Sequence, residues 1–477
     1  MKKGIFMNNI KNDFSIVGGG IGGSSIAVEL SKRYKTTLFE KEPYLGGCAS
    51  TFKKKGEYFN AGATTFSGFD KGYGLYDFFD RNNIEFKKQR LDFALCVLIE
   101  DKKIYRHQDF DKFLNSVNYA FPHKKNYEFW KLVYEINKEF YLINDYYYSQ
   151  KNIFNYLKSI YSFKTVFFRF YKYIFTDAKK FIDKFFDGID EKYLDFLDNQ
   201  TLVAAQCKTS DMNFFTAALA LGYHFQTNYY IYGGMGAIFE QMALKIDEVK
   251  TKTKIESIRR ENGGYLISSK KGEFFSKNLV LNSTIFDSLD LFEDKEILNH
   301  LKKYQNFDEA ISAFTVYISL NDGHKLDHHY QLIEKELFPY SISNSIFVSL
   351  GDQKDEKMKN SITISIHTKT SIWRDDYENK KSILTNKILE VLKERLNIHS
   401  SMIKNVFAGT PFTFKRFINR STLGGIPVKK QNLFFRLASN ETPIKGLYLV
   451  GDTSFAAQGW QGVMMGVNNL EKLLRGK

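Results

Sequence analysis

The chain has little cysteine, and what it has is scattered. Cys48, Cys96 and Cys207 are the three in 477 residues. An odd, widely spaced set excludes a disulfide framework and a cysteine-based metal site, and it fits a reducing cytoplasm. The nine histidines fall at no ligand spacing. His328 and His329 are adjacent, which points them apart, so they read as solvated loop residues and no metal is expected. No uncharged apolar run reaches the length of about eighteen residues that crosses a bilayer. The start, MKKGIFMNNIKND, has lysines but too short an apolar core for a secretory leader. Paired carboxylates, a Ser-His-Asp set with a nucleophile elbow and any nucleic-acid module are missing too, so no catalytic side chain is assigned and nucleic acid is not a partner. Proline is absent from His123 to Phe338, which permits long helices.

What is present is densest from Phe14 to Ser50, FSIVGGGIGGSSIAVELSKRYKTTLFEKEPYLGGCAS. The apolar run Phe14 to Val17 reads as a buried strand that drops into glycines opening a helix from Ser24 to about Tyr34. Gly18, Gly20 and Gly23 make the dinucleotide pattern G-x-G-x-x-G, with Ile21 and Gly22 inside the same turn. Gly18 turns the chain off the strand, Gly20 lets bare backbone meet a pyrophosphate, and Gly23 lets helix and strand pack closely. The helix N-terminus faces the phosphates. A second strand, Thr36 to Phe39, ends in Glu40, where an acid meets a ribose 2′-hydroxyl, and Lys41 follows it. The second glycine pair, Gly46 and Gly47, then Cys48, favours the longer FAD over NAD.

This block, continued by FNAGATTFSGFD from Phe59 to Asp70, resembles the phytoene desaturase, carotenoid isomerase and retinol saturase family of flavoproteins, within the group that includes amine oxidases. The family usually carries Arg or a small residue after its second glycine pair, where this chain has Cys48. The resemblance adds Gly62, Ala63 and Thr64 to the expected cofactor contacts, and Ile255, whose backbone would face the adenine. It also covers GTPFTFKRFINRSTLGGIP, from Gly409 to Pro427, and the C-terminal GLYLVGD followed by QGWQGVMMGVNNLEKLLR. There Gly451 and Asp452 end a strand, and Gly459, Trp460, Gly462 and Val463 start a helix, a good place for a ribityl hydroxyl and a polar flavin edge.

Between these ends, Phe93 to Ile99 and Lys103 to Tyr105 read as a hairpin, and 124–186 as a helical insertion rich in Phe, Tyr and Lys. On one helix through Leu157 to Lys180, the basic residues Lys158, Arg169, Lys172, Lys179 and Lys180 fall within an arc of roughly 100°. Opposite them lie Ile160, Phe163, Val166, Phe167, Phe170, Tyr171 and Ile174. That is the composition of a helix lying in a membrane interface, and the net charge of +14, from 68 basic and 54 acidic residues, favours an anionic one. The aromatics could equally line a tunnel for a long apolar ligand. Thr251 to Ile258, Tyr265 to Ser268 and Glu273 to Phe275 read as an antiparallel meander, followed by Leu279 to Asn282 as a return to the Rossmann sheet. Ala310 to Leu320 has Ala313, Thr315, Tyr317 and Ser319 on one face, and with later strands and a helix from Lys380 to Leu396 it suggests the floor of a substrate cavity.

The expected architecture is α/β: a Rossmann-type FAD-binding domain in three pieces (10–70, 229–290, 436–477), a discontinuous mixed-sheet substrate domain (71–228, 291–435), and a helical insertion able to associate with a membrane. The expected activity is an FAD-dependent oxidoreductase that desaturates, saturates or isomerises double bonds of a carotenoid or related isoprenoid polyene, by hydride transfer at flavin N5. The alternatives are an amine oxidase-like flavoenzyme and a lipid-binding protein without flavin chemistry, as in the GDP-dissociation inhibitors. The expected location is cytoplasmic, peripheral on the inner face of a membrane.

Overall fold

The computed structural model describes residues 11–475 apart from 144, 305–310, 421, 431–436 and 457. Residue 10, Ala310 and the 435/436 boundary lie outside the described residues.

Two seven-stranded sheets organise the chain. In the first, Glu248–Lys250, Thr36–Phe39, Lys11–Val17 and Gly272–Leu281 run parallel in that spatial order, and Leu447–Leu449 adds in parallel to the last. All four residues of Thr36–Phe39 are buried, as expected of a strand covered on both faces. The meander is present as Ile255–Glu261, Gly264–Ser269 and Gly272–Leu281. Its third strand is longer than expected: residues read as two strands form one, whose start belongs to the hairpin and whose end sits between the first strand and Leu447–Leu449. The first helix, Ile21–Ser31, begins before Ser24 because the glycines wind into its opening turn, with Gly20 as the extended N-cap. Helix Gly459–Arg475 packs against it.

The second sheet runs Ile403–Gly409, Ile311–Leu320, Ser361–Lys369, Ser345–Leu350, His329–Ile333, Phe93–Ile99, Lys102–His107. Its two faces differ because side chains alternate along each strand. Phe314, Val316, Ile346, Ile364 and Ile366 form a core with Leu384, Ile388 and Leu392 of helix Tyr377–Leu396. The other face carries Ala313, Thr315 and Tyr317 beside His367, Ser365 and Thr363, their register partners.

The expected single helix through 157–180 is three: Ile153–Ser162, Lys164–Ile174 and Ala178–Phe186. The Ser162 hydroxyl takes part in the first break by accepting from Tyr147 N and donating to Tyr147 O, and Asp177 caps the third helix by accepting from Lys180 N. The phase of a single wheel is lost. Phe163, Val166 and Phe170, from the expected membrane face, are buried in the body, while Tyr171 is exposed. His329 is not a solvated loop residue, and His328, in the bend just before the strand, is half-buried. His329 opens a fully buried strand with its Nδ1 3.0 Å from Ser349 Oγ, and burial pulls its imidazole down to about 3. His328 lies 3.3 Å from Asp352 and stacks on Tyr230. Tyr330, Leu332 and Ile333, with Gln331 held by hydrogen bonds, carry the strand inward and take the His329 ring with it. Among the described residues no helix is long and apolar enough to cross a membrane, and no cluster of His, Cys, Asp or Glu could hold a metal ion.

Candidate functional site

Strand Lys11–Val17 leaves the sheet at Gly18, whose φ of +103° favours glycine and whose N–H donates to Phe39 O at 2.9 Å. The acid at the end of the second strand folds back onto this turn: Glu40 accepts from Gly19 N at 2.8 Å and from Glu42 N at 2.9 Å. Burial pushes the Glu40 carboxyl above its ordinary range, against the lowering effect of these N–H groups. The second glycine pair closes over the first, with Gly46 N donating to Gly19 O at 2.7 Å.

Space around the glycines separates their roles. A Cβ on Gly23 would lie 2.0 Å from Gly18 O, and one on Gly22 would lie 2.9 Å from Gly451 N. Gly22 is therefore where the two ends of the chain meet. Asn282 secures the junction, donating to Gly18 O at 3.1 Å while its Oδ1 lies 3.0 Å from the place of a Cβ on Gly451. Sequence reasoning missed Asn282; its only signal was a polar residue directly after a buried strand.

A cavity of about 680 Å³ opens from this junction. Gly18, Gly20, Ile21, Gly22, Glu40 and Lys41 border it, as do Gly46, Gly47, Cys48, Gly62, Ala63 and Thr64. So do Ile255, Gly451, Asp452, Gly459, Trp460, Gly462 and Val463. Gly23 alone of the expected contacts stands behind the wall, in keeping with a packing role. Ser283 Oγ and Trp460 Nε1, both on the cavity wall, are buried without a hydrogen-bond partner. Orphaned polar atoms beside a glycine-lined helix N-terminus suit a ligand that brings its own polar groups, as a dinucleotide does.

Arg420 was also missed. Its guanidinium donates to both oxygens of Asp452, at 2.9 and 2.8 Å, and lies 3.8 Å from Cys48 Sγ. Burial pulls Arg420 down, but Asp452 and Cys48 outweigh it and hold the group above its ordinary value. Burial also pushes the Cys48 thiol up, although Arg420 opposes the shift. The family that the sequence resembles usually has arginine or a small residue after the second glycine pair; this chain brings a guanidinium to Cys48 from a distant segment.

Beyond the glycines the cavity runs between the second sheet and the helical insertion. Phe140, Phe163, Val166, Phe167 and Phe215 form its helical wall, and Thr315, Ser345, Ser365 and His367 form much of its sheet wall. Among the described residues, the acids on its border are Glu40, Glu42 and Asp452, all at the end lined by the glycine turns.

Comparison with known proteins agrees with this arrangement. The prolycopene isomerase of Daucus carota, described as chloroplastic, is 26% identical over 94% of this chain and 77% of its own length. A prolycopene isomerase of Arabidopsis thaliana is likewise similar, 25% identical over 94% of this chain and 80% of its own length. The profile of the NAD(P)-binding Rossmann-like domain matches residues 16–81, the stretch holding both glycine pairs. Two solved structures share the whole fold. An oxidoreductase from Methanosarcina mazei has a TM-score of 0.65 at 17% identity and covers 97% of this chain and 100% of its own. Putrescine oxidase bound to putrescine has a TM-score of 0.63 at 11% identity, covering 98% and 100%. The mixed α/β architecture with a Rossmann-like unit is therefore the fold that these two structures share with this chain.

Proposed function

We propose that the protein is an FAD-dependent enzyme acting on the double bonds of a carotenoid or related polyene, as a desaturase, saturase or isomerase. One observation carries the reading: the cavity that joins Gly18–Gly22 to Gly451–Asp452 continues, without a wall, into a chamber lined by aromatic and small side chains. Gly18, Gly20 and the start of helix Ile21–Ser31 would hold the pyrophosphate, Glu40 the adenosine ribose, and Asp452 a ribityl hydroxyl. When bound, FAD supplies a hydride-accepting ring. The chain's own part is to hold an extended apolar substrate between helix and sheet, keep water away and aim one C–H bond. Homology to prolycopene isomerases supports the polyene. An amine substrate is less well served, because an ammonium group meets no described carboxylate in the chamber. The test is anaerobic incubation of the purified flavoprotein with polyenes and amines, following flavin bleaching and product geometry. Bleaching or isomerisation by a polyene is expected; reaction with amines alone overturns the reading.

The same reading includes contact with an anionic membrane, on a different helix face from the one the sequence suggested. Ile153, Phe154, Leu157 and Tyr161 share one face of helix Ile153–Ser162, and Phe168, Tyr171 and Phe175 continue along the next helix and its end. Phe154, Phe168 and Phe175 are 78%, 75% and 73% exposed. Lys158, Lys164 and Lys172 are exposed on the same two helices, beside the buried residues that line the chamber. Replacing Phe154, Phe168 and Phe175 by Ser is expected to weaken co-sedimentation with phosphatidylglycerol vesicles by about tenfold or more. Unchanged co-sedimentation would return these helices to a simple covering role.

A further inference from the structure

The sheet wall of the chamber carries a row of polar groups opposite the aromatic helical wall, and two of them, His367 and Ser365, lack a side-chain partner among the described residues. His367 and Ser365 project from the same side of strand Ser361–Lys369, toward the cavity. Their neighbours across the strand pair are Ala313 and Thr315, and the Ala313 methyl leaves the imidazole uncovered. Two nearby polar pairs of this sheet are closed, since Gln331 Nε2 donates to Ser345 Oγ at 3.2 Å and His329 pairs with Ser349 at 3.0 Å, whereas Ser312 Oγ is buried without a partner. The His367 ring and the Ser365 hydroxyl have no hydrogen bond to any described residue, although protein surrounds the ring on every side that the cavity does not. Burial alone lowers the His367 imidazole to about 4, so it is neutral near pH 7. A neutral imidazole offers one N–H and one lone pair.

The geometry points to a ligand that is not hydrocarbon throughout: an elongated apolar molecule with one uncharged oxygen, a hydroxyl or a carbonyl, at the end lying against Ser361–Lys369, where His367 is its hydrogen-bond partner and Ser365 stands beside it. This rests on the polyene reading and narrows it. A carboxylate is a poorer match, since the cations bordering the cavity among the described residues, Lys41, Lys254 and Arg420, stand at its nucleotide end. A pure hydrocarbon would press a dry surface against a donor and an acceptor and leave both unmet. The sheet wall thereby selects the substrate's head group while the helical wall accepts its length.

The probes are β-carotene and β-cryptoxanthin, which share a carbon skeleton and differ by one hydroxyl, presented in detergent micelles to the full-length protein. Binding is read by quenching of tryptophan fluorescence. Wild type is expected to prefer the alcohol about tenfold, the worth of one neutral hydrogen bond made in place of an unmet one. His367→Phe should bring the ratio near one by gaining affinity for the hydrocarbon, and His367→Gln, which still hydrogen-bonds, should retain most of the preference. Equal binding of the two probes by wild type overturns the assignment, and so does an undiminished preference in His367→Phe. Should the Phe variant fail to fold, the wild-type ratio and the Gln variant still decide. Tryptophan quenching needs no flavin. Colourless protein that keeps the preference would therefore sink the FAD reading and leave this one standing, while flavin-loaded protein indifferent to the hydroxyl would do the reverse.

Discussion

Gly20→Val is expected to give a protein that folds and retains no flavin. Around Gly20 the chain leaves room: a Cβ there meets only Asn282 Nδ2, at 3.0 Å, and the backbone is the extended conformation of an N-cap at φ −73°. The obstruction falls on the ligand, because the side chain would stand where a pyrophosphate must touch bare backbone at the start of helix Ile21–Ser31. FAD affinity should drop by about 100-fold or more, equivalent to roughly 3 kcal/mol. The measurement is flavin absorbance per mole of purified protein beside a melting curve. Gly23→Ala is the contrasting variant, since its Cβ would lie 2.0 Å from Gly18 O and the backbone must yield. It should lose its melting transition together with flavin. Normal flavin content in Gly20→Val would contradict the cofactor placement, and colourless wild type would favour the lipid-holding alternative on the same fold.

The second large effect is at Asp452. Asp452→Asn removes the negative charge facing Arg420, whose guanidinium is bonded to both carboxylate oxygens in a largely buried site. An uncompensated buried cation costs about 3 kcal/mol, and flavin-free protein should melt several degrees lower. Adding Arg420→Met to the Asn variant should recover much of that loss, because the stranded charge is gone. A double-mutant cycle reads the coupling directly. If the double variant is no more stable than Asp452→Asn alone, Arg420 is not held by this pair.

The glycine-turn end of the cavity was readable from the sequence because its constraints are local. Strand, glycine turn, helix and terminal acid follow one another within Phe14 to Glu40, and each leaves its own residue signature. The partners that close the site are remote in sequence and leave none. Asn282 is an ordinary polar residue after a strand, and Arg420 is one of many basic residues until folding sets it against Cys48 and Asp452. The helical wheel over 157–180 failed for a different reason. Periodicity presumes an unbroken helix, and Ser162 and Asp177, whose side chains bond to backbone, interrupt it twice. The aromatic content was seen, but not which aromatics line the chamber and which face outward. His367 was invisible as a site residue: a lone histidine in an alternating strand has no signal until the opposite residue, Ala313, is known.

The strand Gly272–Leu281 has a temporal consequence, because it is flanked by Lys11–Val17 on one side and Leu447–Leu449 on the other. During translation the first glycine turn leaves the ribosome long before Gly451 exists to meet Gly22. A nascent chain stopped short of Leu447 has half a cradle and an uncovered sheet edge, the kind of surface that chaperones shield. On the proposed FAD reading, cofactor loading would come at the end of biosynthesis, and fragments truncated before that strand should be recovered colourless whatever the supply of riboflavin.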